Sequence, residues 1–157
     1  MTSVPHPESL PVRHEVSVQR ACYEVYRILQ WGFVAVPIIA GLDKFFYVLT
    51  DWSQYVAPWA ARIVGGNVRT AMMVVGIIEI IAGIGVAIKP RYFGFVACAW
   101  LCCIIINLLT KSGYYDIALR DFGLAVAAFC LGLLAMVYDH GNFGGLMRNK
   151  MAPPLER

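Results

Sequence analysis

Charge is scarce in this 157-residue chain. Asp, Glu, Lys and Arg together make up 15% of it, against about 25% in a typical soluble domain. The net charge of +3 is small and dispersed, which excludes the basic patch that nucleic-acid binding needs. Histidine occurs only at His6, His14 and His140, all outside the apolar runs, so no bis-His haem site can form within a membrane. None of the five cysteines makes a C-x-x-C pair. Cys98 and Cys102 are four apart with Cys103 adjacent, and Cys22 and Cys130 lie elsewhere; packing as small apolar residues is the expected role. Metal-ligand spacing and a Gly-rich phosphate loop are absent. A positive segment followed by an apolar core and a small-residue cleavage site is also missing, so no cleaved signal peptide is predicted.

Apolar residues account for 59% of the chain, and they fall in four runs. The predicted fold is all-α, an integral membrane four-helix bundle in contact with the lipid bilayer. Its spans cover about residues 28–49, 70–88, 92–110 and 117–138, each long enough to cross roughly 30 Å of hydrocarbon as a helix. A Pro-rich segment over residues 1–17 reads as a disordered tail, residues 18–138 as the transmembrane domain, and residues 139–157 as a second tail. Pro37 is expected to kink the first span, and Lys89-Pro90-Arg91 to form the turn between the second and third. The long connection from Thr50 to Arg69 contains Trp52, Tyr55, Trp59, Ile63 and Val64, and aromatic residues of this kind favour the headgroup region. Eight Lys and Arg residues lie on the side of the termini and five on the other or inside the first span. That bias places both termini in the cytoplasm.

Polar residues inside the spans are the functional candidates. Glu79 is the only charge between Arg69 and Lys89, ten residues from each, and so falls near the midplane, where an unpaired charge is least tolerated. It shares a helix stripe with Gly76 and Gly83, which should face neighbouring helices. Asp43, Lys44, Asn107, Asp116, Arg120 and Asp121 form a predicted polar layer nearer the outer surface. Two readings stay open for that layer: an ion-pair cluster fixing helix register, or a solute, quinone-headgroup or proton site. Counted along the helices, Lys44 and Arg120 lie about 10 Å further out than Glu79. Glu79 is therefore expected to be neutral, or bonded to a polar group on a neighbouring helix, and not paired with a cation.

Three segments carry a family resemblance. They are Gly41, Asp43, Lys44 and Phe45 ending the first helix; Glu79, Ala82 and Gly83 in the second; and Tyr115, Asp116, Ala118, Leu119, Arg120, Asp121, Phe122, Gly123 and Leu124 opening the fourth. In order and spacing the chain resembles the DoxX-like family of small bacterial four-helix membrane proteins over roughly residues 25–138. The resemblance implies a multi-pass protein of the bacterial inner membrane. It further implies a non-catalytic membrane subunit or accessory protein of a quinone- or thiol-linked redox system. No intrinsic cofactor is implied, although a quinone is admitted, and the partners would be other subunits of a membrane oxidoreductase or further copies of the chain. The family supplies no catalytic motif to carry over. Two alternatives stand beside this reading: a small-solute or proton conduit using Glu79 and the polar layer, and a membrane assembly scaffold without ligand.

Overall fold

The computed structural model describes residues 9–63, 65–111 and 113–139, with side chains from residue 16 onward. His6, Val64, His140 and the basic tail lie outside the described residues, as does the side chain of His14. Helix α1 runs Ser9–Phe46 and includes Pro37; it thus starts inside the segment read from sequence as a disordered tail. A 3-10 turn over Trp52–Tyr55 and a short helix α2, Pro58–Ile63, make up the long connection. Helices α3, Val68–Ile88, α4, Pro90–Leu109, and α5, Tyr115–Tyr138, complete the chain. Four of these helices are long and apolar enough to cross a membrane, and no strand occurs among the described residues.

Local chemistry sets the helix ends. The Asn67 side chain caps α3, its Oδ1 accepting from the backbone N–H of Arg69 at 2.9 Å and of Thr70 at 3.4 Å, which satisfies donors with no partner inside the helix. Lys89 alone separates α3 from α4, because Pro90 opens α4 at its first position, where its missing N–H costs no helical bond. The three-residue turn expected from Lys89-Pro90-Arg91 is thus a one-residue break. Gly113, with φ +98°, makes the reversal into α5 in a region that glycine enters without steric cost.

The long helices contact one another in the cyclic order α1, α3, α4, α5, with α1 against α3 and α4 against α5 as the two extensive interfaces. Glycine explains both. A Cβ on Gly41 would lie 2.6 Å from the Gly76 carbonyl oxygen, and one on Gly76 the same distance from that of Gly41. A Cβ on Gly94 would lie 2.7 Å from the backbone nitrogen of Gly132. At both crossings backbone meets backbone, the close approach that small residues permit between apolar helices. The Glu79 stripe accordingly faces α1, as its Gly76 and Gly83 spacing predicts. Outward faces carry Ile39, Leu42, Ile77, Ile81, Phe122 and Val126, all exposed. So continuous an apolar surface on all sides suits lipid and not water.

Cys22 and Cys98 are half-buried, whereas the other three cysteines depart from the expected packing role. All five are free, and Cys102, Cys103 and Cys130 are exposed on outward faces. On a helix surrounded by apolar surface the sequence pattern does not separate inward from outward positions.

Candidate functional site

Where α1 ends, two consecutive residues do different work. Asp43 terminates the helix and organises the turn into the long connection. Its Oδ1 accepts from the backbone N–H of Val48 at 2.9 Å and of Leu49 at 3.0 Å, and its Oδ2 accepts from the Trp52 indole at 2.6 Å. Between them Tyr47 turns the chain with φ +57°, a left-handed conformation uncommon for a non-glycine residue. With only five residues between Phe46 and Trp52, the chain has no slack, and the indole falls back over the end of α1.

Lys44 points the other way, into the helices. It is 3% exposed, and its Nζ lies 2.6 Å from Glu79 Oε2 on α3. The same ammonium donates to the Ala40 carbonyl at 3.4 Å and sits 3.8 Å from the centre of the Trp52 ring. Carboxylate, carbonyl and aromatic face thus surround one cation, the combination that makes a buried charge tolerable. The expectation that Glu79 lacks a cationic partner is therefore corrected: it forms a buried ion pair with Lys44. Asp121, half-buried on α5, acts on both members electrostatically without a direct bond to either. A second carboxylate is thereby brought toward a single ammonium from the opposite helix pair.

The rest of the predicted polar layer separates. Asp116 and Arg120 pair with each other at 3.4 Å on the exposed face of α5, away from Lys44, and an exposed pair of this kind contributes little to stability. Asn107 sits at the end of α4 and holds the long connection. Its Nδ2 donates to the Tyr55 carbonyl at 2.7 Å and its Oδ1 accepts from the Ala57 N–H at 3.0 Å. Nearby, the Trp59 indole donates to Thr110 Oγ1 at 2.8 Å, and Lys111 Nζ donates to the carbonyls of Gln54 and Val56. The connection's aromatic residues, read from sequence as surface anchors, also have these internal partners. Trp52 in particular forms the ceiling of the ion pair. Its type gives no sign of that role; its short tether to Asp43 does.

Toward the Lys89 end, the α1–α3 seam below the pair is closed. A Cβ on Gly83 would meet Ile38 at 2.8 Å and the Val34 carbonyl oxygen at 3.0 Å. What the arrangement offers chemically is a fixed ammonium donor, an aromatic face and a surplus carboxylate, beneath a cover on one side and over tight packing on the other. Comparison of the chain with protein families, curated proteins and solved structures finds no match.

Asp43 carries the first test of this geometry. Asp43→Ala removes the acceptor for two backbone N–H groups and one indole, and buried donors left unsatisfied cost about 1–3 kcal/mol each. The expected outcome is a loss of at least ~2 kcal/mol, with a red shift of Trp52 fluorescence as the indole leaves its site. A variant with unchanged emission would show that Asp43 does not hold the ring.

Proposed function

We propose that the chain is a DoxX-like multi-pass protein of the bacterial inner membrane, with both termini in the cytoplasm. In this reading it serves a quinone- or thiol-linked redox system as a non-catalytic accessory subunit. The observation that carries the proposal is the one-sidedness of the Lys44–Glu79 pair. Trp52 and the connection cover it at one end, while below it α1 and α3 meet through Gly83, Val34 and Ile38. Closure of that seam favours a place where something is held over a path that something crosses. Family and orientation rest on the sequence resemblance and on the Lys and Arg distribution.

A quinone is the cofactor class this reading admits. Its carbonyl oxygen would accept from Lys44 and its ring would lie against the Trp52 indole. At 3% exposure Lys44 is reached only when Trp52 moves aside, so the closed arrangement leaves no room for the ring. The test is purification in a mild detergent from the native membrane, with identification of bound proteins and lipophilic molecules. Retention of partner subunits by the parent, and their loss in Lys44→Met, is the expected result. A chain that purifies alone and empty in both forms would sink the accessory-subunit reading.

The conduit reading draws on Asp121, a third ionisable group that is half-buried within the spans. It requires proton or solute flux through the reconstituted chain alone, abolished by Glu79→Gln. The scaffold reading requires partners but no bound lipophilic molecule.

A further inference from the structure

The connection between α1 and α3 has the construction of a hinged cover. Its covalent ends both belong to the α1–α3 pair, and its non-covalent attachments run both to that pair, through Asp43 and Met72, and across to the other. At one end stands Tyr47 with φ +57°, and at the other Gly65 and Gly66 with φ +89° and +82°. Left-handed residues mark places where the chain changes direction within one or two residues. Between them, residues 52–63 form two short helical pieces whose apolar underside, Val56 and Ala61 with Trp52, packs on Met72, Val68 and Val75 of α3. Ala57 is fully buried.

The attachments at the far edge are all to residues 107–114. They are the two Asn107 bonds to Tyr55 and Ala57, the Trp59–Thr110 bond, the Lys111 contacts with Gln54 and Val56, and an edge-to-face ring pair of Tyr55 and Tyr114 with centroids 5.3 Å apart. Four of these residues lie within eight positions at the α4–α5 reversal. Lys44 and Glu79, bonded at 2.6 Å, belong to one helix pair, and half-buried Asp121 to the other.

We propose that residues 49–63 are a lid that turns as one unit about Tyr47 and Gly65-Gly66, held shut by Asn107, and that its opening exposes the Lys44–Glu79 pair to water. The lid joins the two helix pairs in addition to the α1–α5 and α3–α4 contacts. Opening parts the polar latch, the Trp52 contacts with Asp43 and Lys44 and the apolar packing on Met72 of α3, while the α1–α3 and α4–α5 interfaces stay intact. Lids open at a lower free energy than the core of a protein, and hinges are the few residues that absorb the backbone change.

The experiment uses the full chain in detergent with its five cysteines replaced, and single cysteines introduced at Ala57 or Ala61. Both positions are buried under the lid, at 0% and 4% exposure. A charged maleimide reports their access to water, and Gln54→Cys, on the exposed face, sets the unhindered rate. In the parent, both buried positions should label at least ~100-fold more slowly than Gln54→Cys. Asn107→Ala should accelerate both by the same factor, on the order of 10-fold, with unchanged circular dichroism. Acceleration at Ala57 alone would mean local fraying and overturn the single-unit lid. No acceleration at either position would overturn the latch. If Asn107→Ala does not accumulate, Thr110→Val removes the Trp59 bond instead, and equal acceleration at the two positions is again required.

Discussion

Glu79→Leu is expected to lower the stability of the folded chain by about 3–5 kcal/mol, the cost of leaving one member of a buried ion pair without its partner. Lys44 would keep the Ala40 carbonyl and the Trp52 face but lose the 2.6 Å carboxylate contact. In a chain of this size such a loss lowers the melting temperature by on the order of 10 °C. The double variant Lys44→Met, Glu79→Leu should recover most of the loss, because well-packed apolar side chains often replace a buried pair at no net cost. Glu79→Gln should fall between parent and Glu79→Leu. The four proteins are compared by thermal unfolding in one detergent. Should Glu79→Gln match the parent, the carboxylate carries no charge in the folded state, and the neutral-acid expectation from sequence is restored.

Gly76→Ala has the second largest expected effect, about 1–3 kcal/mol from overpacking. A methyl group there would stand 2.6 Å from the Gly41 carbonyl oxygen and 3.2 Å from Lys44 Cβ. Neither neighbour is the free end of a flexible side chain, so α1 and α3 must move apart and the ion pair that straddles the crossing must lengthen. Gly123→Ala on α5 is the control. Nothing lies within 4 Å of its added Cβ, and alanine is the better helix former by about 1 kcal/mol. The two substitutions should therefore move the melting temperature in opposite directions. Equal shifts of the same sign would mean that the Gly41–Gly76 crossing is not a close contact.

Sequence patterning located the four long helices within about three residues at most ends, because an apolar run bounded by charges leaves little latitude. It failed on the partner of Glu79 for a geometric reason. Gly41 and Gly76 are in contact, so they mark a common depth. Lys44 lies three residues from the first toward the lid, and Glu79 three residues from the second in the opposite direction. Their backbones are thus separated by roughly 9 Å along the axes, much as counting residues gave. Side chains close that gap. On a helix each Cα–Cβ bond tilts toward the N-terminus, and the two helices run antiparallel, so Lys44 leans down while Glu79 leans up. The long lysine stem covers what remains. The counting treated side chains as perpendicular to the axis.

The outer polar layer divides for a different reason. Asp116 and Arg120, four apart, share one face of α5, and Asp121, about 100° further round, falls on another. A soluble helix would betray its inner face by polarity. Here both faces are apolar, and only contact with α1 and α3 tells which carboxylate faces the interior. Nothing in the sequence supplied that information. The hydrogen bonds of Asn107 are a similar case, since both partners are backbone groups of a loop some fifty residues away.

The length of α1 has a mechanical consequence. Its crossing with α3 at Gly41 lies close to one end, and from there to Val16 the helix extends about 37 Å at 1.5 Å per residue. That makes α1 a lever with a short arm at Lys44 and a long arm reaching past Lys89. A rotation of about 10° around the crossing moves Lys44 by less than 1 Å, yet swings Val16 through roughly 6 Å. The lever's long arm is held by Tyr23, Tyr26 and Phe33 packed with Val86, Leu131 and Tyr138. Gln30 Nε2 also donates to the Val86 carbonyl at 3.5 Å, and the Tyr138 hydroxyl to the Gln19 carbonyl at 3.3 Å. A displacement too small to see at one end would therefore be felt at the other as strain on a whole aromatic cluster.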